Sequence, residues 1–196
     1  MFGQRREPQD DGKKGGRRTP ATKAVKTATD ADRDAIAAGT ELPTRTDKDR
    51  EQIPSEERVE GLTKQFIEAG QGDEEAQQLA KSLVEEALSY QFSPAQLDGF
   101  QMFNVRSNHG VLHINLNTDH PIYDLLKHIE DDLDENADES DPGFQASVAI
   151  RLLLSSWARM EDQTESRDER TRIQDIAMNW GRQVDKVFNQ LRERDG

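Results

Sequence analysis

The chain has 196 residues and a formal net charge of −13, and hydrophobic and charged residues each make up 33% of it. That length suits one domain with a tail, or two very small domains, and the composition is polar for a globular chain. The absence of cysteine excludes disulfides, thiolate zinc sites and thiol catalysis. No apolar run approaches the ~20 residues of a membrane span, and no apolar signal segment follows the first residues, so the sequence predicts a cytoplasmic protein without membrane contact.

The first 54 residues show no apolar periodicity, and they are predicted to form a disordered tail because they bury too little apolar surface to offset their ordering entropy. Within this tail, residues 1–27 carry eight lysines and arginines against three acidic residues, a net charge of +5. The remainder therefore carries −18, which disfavours broad contact with nucleic acid. Weak nucleic-acid contact is expected through the basic arm alone. Its candidate residues are Arg5, Arg6, Lys13, Lys14, Arg17 and Arg18.

Residues 55–196 are predicted to form a single helix-rich domain. Apolar residues at helical spacing indicate two helices between Pro54 and Leu88, separated by Gly70 and Gly72. Strict alternation then predicts a β-hairpin within residues 100–116, with its turn at Ser107-Asn108-His109-Gly110.

Three further helices are predicted after the hairpin. The first is entered at Pro121 with Asp119 as a candidate cap. The second, over residues 144–163, is apolar around most of its circumference and is expected to be the most buried. The third follows a capping box at Ser166. The predicted fold is helix-dominated α+β, with about five helices and one β-hairpin.

Catalytic and metal-binding patterns are weak in this sequence. The four histidines, at 109, 113, 120 and 128, lack the spacing of a metal site. A calcium loop counted from Asp132 would place Ala137 and Gly143 where glycine and glutamate are needed. No nucleophile elbow or phosphate loop occurs, and Trp157 and Trp180 lie on apolar stripes typical of a core. We therefore predict a protein that is not an enzyme and that needs no cofactor or metal.

Four pieces of the second half occur in a characteristic order. They are Phe103–Val105, Asn115–Tyr123, Leu152–Asp162 and Trp180-Gly181. Together, over about residues 100–190, they resemble the region downstream of the nucleotide-binding domain in prokaryotic Hsp90-like (GHKL, MutL-related) ATPase proteins. The magnesium-binding Glu/Asn helix and the D-x-G-x-G motif of the ATPase domain itself do not occur in the sequence.

The resemblance implies a non-catalytic accessory domain, a subunit or detached module of such an ATPase system. Its partner would be a protein, either an ATPase subunit or a second copy of the chain. The candidate partner-binding residues are Asn115, Asn117, Asp119, His120 and Tyr123. The alternative reading of the same residues is that His120 and Pro121 cap a helix and Tyr123 packs on it. The alternative function is a nucleic-acid-associated or phage or virion assembly protein that uses the basic arm.

Overall fold

The structure is a computed structural model that describes residues 19–133 and 139–195, with side chains up to residue 190. These residues form seven helices and three strands. The bounds in chain order are α1 Pro20–Ala37, α2 Arg45–Gln52, α3 Ser55–Glu68, α4 Asp73–Glu85, β1 Tyr90–Ala95, β2 Phe103–Asn108, β3 Val111–Asn117, α5 Pro121–Asp131, α6 Pro142–Gln163 and α7 Arg167–Asp195. None of the described helices combines the length and apolar character that crossing a membrane requires.

The predicted helix-dominated α+β class is confirmed. The described residues form seven helices, where about five were predicted, and a three-stranded sheet, where a hairpin was predicted. The strands form a three-stranded sheet in the order β1-β3-β2, in which β3 is the central strand. β2 pairs antiparallel with β3, as the predicted hairpin requires, and β1 adds to its other edge in parallel. The sequence pattern missed β1 because Pro94 interrupts it, and proline is tolerated only where a strand has a free edge.

The hairpin turn was predicted correctly. His109 and Gly110 connect β2 and β3 with φ values of 47° and 73°, the left-handed pair that matches the twist of the two strands. Arg50 of α2 and Arg58 of α3 donate through Nε to the carbonyls of Gly110 and His109, at 3.0 and 2.9 Å. The tip of the hairpin is therefore held between two helices.

Disorder over the first 54 residues is wrong for residues 20–37 and 45–52, which form α1 and α2. Thr19 and Thr44 begin these helices with reciprocal capping boxes. The buried stripe of α1 consists of small residues, among them Ala24 and Ala28, which lie against α6. The buried residues of α1 are mostly small and include no leucine or phenylalanine, the residue types that marked the stripe of α3, and the helix was missed for that reason. The arm residues Arg5, Arg6, Lys13, Lys14, Arg17 and Arg18 lie outside the described residues.

The main hydrophobic core lies between the sheet and the helices α1, α5 and α6. Its buried members include Tyr90, Ile114 and Leu126, and Leu154 and Ala158 contribute from α6. A second cluster joins α3 and α4 to Val111 at the start of β3. The prediction that α6 is the most buried helix is only partly right, because Leu153 and Met160 are 69% and 42% exposed.

Candidate functional site

Asn117, at the end of β3, is one of the predicted partner-binding residues, and its side chain is buried. Its Oδ1 accepts hydrogen bonds from the amides of Leu97 and Asp119, both at 3.2 Å, and its Nδ2 donates to the carbonyl of Gln101 at 2.7 Å. All of these partners are internal. Asn117 therefore fixes the loops on either side of the sheet end and presents no free polar group there.

His120 is also buried, and it joins two helices. Its Nδ1 accepts the amide proton of Ile122 at 3.2 Å, so the ring caps α5. Its Nε2, which must then carry the proton, donates to the carbonyl of Gly181 in α7 at 3.1 Å. Gly181 is required at this crossing, because a Cβ there would lie 2.0 Å from the carbonyl oxygen of Phe100. Two residues of the motifs on which the resemblance rests, His120 and Gly181, thus connect α5 to α7 in the structure.

The other three candidate residues of this junction have different environments. Asn115 donates to Asn104 Oδ1 across the β2–β3 pair at 2.8 Å, and Tyr123 packs against the main core. Asp119 is exposed and accepts from Gln96 at 3.1 Å; it is not the helix cap, a role that His120 takes. The structure thus brings the five residues together but leaves one of them, Asp119, at the surface, and their contact with a partner stays a prediction.

The four histidines occupy two regions of the structure: His109 and His113 lie in the hairpin and interact electrostatically, whereas His120 caps α5 and His128 lies within it. His113 is buried in β3 with its ring edge-on to Phe66, and burial lowers the pKa of His113 to about 4. His128 lies on the surface beside Asp132, with 3.3 Å between Nε2 and Oδ2. Within residues 19–133 and 139–195 no group of three or more potential metal-ligating side chains comes together. The acidic loop considered for calcium falls mainly in residues 134–138, outside the described residues.

A buried ionic cluster, which the sequence did not reveal, surrounds Arg159 of α6. Its Nη1 lies 2.7 Å from Asp47 and 3.7 Å from Asp32, and its Nε lies 3.4 Å from Glu41. Tyr90 donates a hydrogen bond to the same Asp32 carboxylate. One guanidinium thereby joins α6 to α1, to α2 and to the segment between them.

The charges of this cluster are perturbed by burial and by each other. Burial raises the pKa of Asp32 above its ordinary value despite the hydrogen bond from Tyr90 and the attraction of Arg159. Burial would also raise the pKa of Asp47, but the Thr44 backbone amide and Arg159 outweigh it and hold the pKa of Asp47 low. Burial opposes the charge of Arg159, yet Asp32 and Asp47 raise its pKa. The cluster is therefore held together by its internal pairing.

The remaining charges of α6 are also buried, and each contacts another helix. Arg151 pairs with Glu130 of α5 at 2.5 Å, and Asp162 accepts the amide proton of Thr46 in α2 at 3.0 Å. Glu161 accepts a hydrogen bond from Gln174 of α7 at 2.7 Å. All four charged residues of α6 are consequently used to attach it to its neighbours.

The exposed side of α6 carries no charge. Eight of its residues are exposed, and none carries a charge; they are Pro142, Gln145, Ala146, Ala149, Leu153, Ser156, Met160 and Gln163. Beside them, Trp157 stacks on Trp180 of α7 with 5.6 Å between ring centroids. Trp180 is 43% exposed, so its prediction as a core residue is only partly right.

The exposed stripe of α6 continues onto α7 through this tryptophan pair. Ile176 and Val187 of α7 are more than half exposed. We call the exposed apolar residues Leu153, Met160, Ile176, Trp180 and Val187 the α6–α7 face. Its signal in the sequence was the excess of apolar residues in α6, more than one buried face can accommodate.

A second apolar concavity lies between α3 and α4. It is an open groove of about 820 Å³ with Val59, Ile67 and Val84 at its floor. Its rim carries both glutamates and lysines, including Glu60 and Lys81. Charged residues around a partly apolar floor are what the solvated side of a helical hairpin ordinarily presents.

Comparison with protein-family models, with curated proteins and with solved structures finds no match to this chain. The resemblance of residues 100–190 to the Hsp90-like ATPase proteins therefore stays a prediction.

Proposed function

We propose that this chain is a non-catalytic interaction domain that binds a protein partner through the α6–α7 face. The observation that carries this proposal is the absence of charge from the eight exposed residues of α6, in a chain of which one third is charged. Exposed leucine is common singly, but a row of apolar residues along two adjacent helices is typical of an interaction site.

The composition of the face supports a contact with protein. The face includes the half-exposed Trp180, and tryptophan is among the residue types that most often dominate the binding energy of protein interfaces. Depletion of charge at the centre is the compositional signature of such an interface. The ATPase subunit implied by the resemblance is one candidate partner. The alternative, nucleic-acid association through the basic arm, rests on residues outside the described part of the chain.

Site-specific photocrosslinking tests this proposal. A photoreactive amino acid at position 153, in the full chain expressed in its own cells, is expected to give a defined protein adduct. The same amino acid at position 42 is the matched control, because Leu42 is an exposed leucine outside the α6–α7 face; its carbonyl accepts a hydrogen bond from Arg159, on the buried side of α6, at 3.3 Å. Met160→Glu in the same chain is expected to abolish the adduct at position 153. An absence of adducts at 153, or equal adducts at 153 and 42, would contradict the proposal.

A further inference from the structure

The spacing of the exposed residues of α6 leads beyond the proposed function, on which this inference rests, to the identity of the partner. We propose that the α6–α7 face binds a second copy of this chain, with the two α6 helices antiparallel around a twofold axis between Leu154 and Ser155. The exposed positions 149, 153, 156 and 160 follow one another at intervals of four, three and four. That spacing reads the same in both directions, as an isologous helix pair requires.

The side chains at these positions complement one another in size when α6 is paired with its own reverse. Leu153 faces Ser156 of the second copy, and Ala149 faces Met160 of the second copy. One step further out, Ala146 faces Gln163 of the second copy. Each large side chain thus meets a small one, which lets two helices approach closely without a clash and without a void.

The heptad spacing of the small residues supports the antiparallel arrangement. Ala149 and Ser156 are seven residues apart, and so are Leu153 and Met160, so small and large residues form two parallel rows on the helix. In a parallel pair each row would face itself, with leucine against leucine and alanine against alanine. The antiparallel pair places each small row against a large row.

Electrostatics favours this face over the α3–α4 groove for self-association. Two copies with a net charge of −13 each repel one another, and residues near a twofold axis lie close to their own copies as well as to the residues they face. A charge at position 153 or 156 would therefore meet a like charge nearby. The exposed side of α6 carries none, whereas the rim of the α3–α4 groove carries several.

Residues of α7 extend the proposed contact beyond the two α6 helices. At 1.5 Å per residue, the stripe from position 146 to position 163 spans about 26 Å. Ile176 and Trp180 of each copy lie beside this stripe, where they extend the contact past the two α6 helices. Trp180 then supplies the aromatic anchor at the border of the helix pair.

Sedimentation equilibrium of the full chain tests this inference. The wild type is expected to have twice the chain mass of 22.2 kDa, and Leu153→Glu is expected to weaken dimerisation by at least about a hundredfold, since it places like charges at the axis and removes two buried leucines. Leu42→Glu, the matched exposed leucine, is expected to leave the dimer intact. Circular dichroism of both variants should match the wild type.

A charge-pair variant tests the orientation. In Leu153→Glu/Ser156→Lys, the new carboxylate of one copy faces the new ammonium group of the other, twice by symmetry. Dimerisation is expected to recover at low salt and to weaken again as salt screens the pairs. A parallel pair would instead confront like charges at both positions, so failure to recover would overturn the antiparallel arrangement.

The outcomes separate this inference from the proposed function. A wild-type chain that stays monomeric at about 100 μM, or a dimer indifferent to Leu153→Glu, overturns the pairing of α6 with itself. If the photocrosslink at position 153 then captures a different protein, the proposed interaction domain still stands. Loss of both the dimer and the crosslink would overturn both.

Discussion

The two sides of α6 differ in charge, because all four charged residues of the helix lie on its buried side, whereas a surface helix ordinarily carries its charges on the exposed side. The buried side holds Arg151, Arg159, Glu161 and Asp162, and the exposed side holds Leu153 and Met160 with no charge. Each buried charge has a partner on another element, whereas Leu153 and Met160 are 69% and 42% exposed. The difference indicates that the charges of α6 attach it to its neighbours, and it is the basis of our proposal that its exposed apolar residues contact a second chain.

Removal of α1 and α2 is expected to have the largest effect on stability, because these helices cover the charged side of α6. A chain starting at residue 53 lacks Asp32, Asp47 and the buried alanines of α1, so the charged side of α6 and part of the main core become exposed. We expect loss of cooperative thermal unfolding, measured by far-UV circular dichroism. A chain starting at residue 19 is the control and should unfold as the full chain does. Cooperative unfolding of the shorter chain would show that the ionic cluster is dispensable.

Substitution of Arg159 tests the buried side alone. Arg159→Met leaves the Asp32 carboxylate without its cation and Asp47 with Arg50 alone, 3.4 Å away, and removal of one partner of a buried ion pair typically costs about 3–5 kcal/mol in the free energy of unfolding. Urea unfolding measures this loss. Arg33→Met, at an exposed arginine of α1, should change the free energy by no more than about 0.5 kcal/mol. Equal effects of the two variants would contradict the assignment of Arg159 as the link between α6, α1 and α2.

The pH dependence of the free energy of unfolding distinguishes the contribution of His113, in the sheet, from that of Asp47, in the ionic cluster. Burial lowers the pKa of His113 to about 4, from an ordinary value of 6.5. Between pH 6.5 and 4 the histidine of the unfolded chain is therefore protonated, whereas that of the folded chain stays neutral. The free energy of unfolding falls by about 3 kcal/mol over this range.

The carboxylate of Asp47 acts in a lower pH range. Its pKa lies below its ordinary value of 3.8, so its contribution is present above that pH and is lost only as the pH falls through the lowered pKa. His113→Gln should flatten the profile between pH 6.5 and 4 and leave the acid limb below pH 4. An unchanged profile in this variant would assign the loss above pH 4 to other groups.

The exposed side should have the smallest effect on stability. Leu153→Gln changes a side chain that is 69% exposed, so its free energy of unfolding at low protein concentration should stay within about 0.5 kcal/mol of the wild type. Urea unfolding at two protein concentrations checks this. The wild type should be more stable at the higher concentration and the variant should not, because dimerisation stabilises only the chain that forms it. A concentration-independent loss above 2 kcal/mol, the level of a buried leucine, would show that Leu153 belongs to the core.

Local signals in the sequence determined much of the fold. The alternation on either side of His109-Gly110 predicted β2 and β3, because glycine at a left-handed position dictates the turn. The stripes of α3 to α7 were predicted from their period, since a helix must bury one apolar side. The joint at His120 was visible as a motif, although its use as a cap, rather than as a contact for a partner, was left open.

Tertiary structure decided what the pattern left open. α1 and α2 are attached to α6 through the pairing of Asp32 and Asp47 with Arg159, more than a hundred residues away, a contact that no local window contains. β1 exists because β3 offers it a free edge. Tertiary contacts also determine which side of α6 faces water. Its sequence supplies more apolar residues than one interior can cover, and the carboxylates and polar groups around Arg151 and Arg159 determine which of them remain outside.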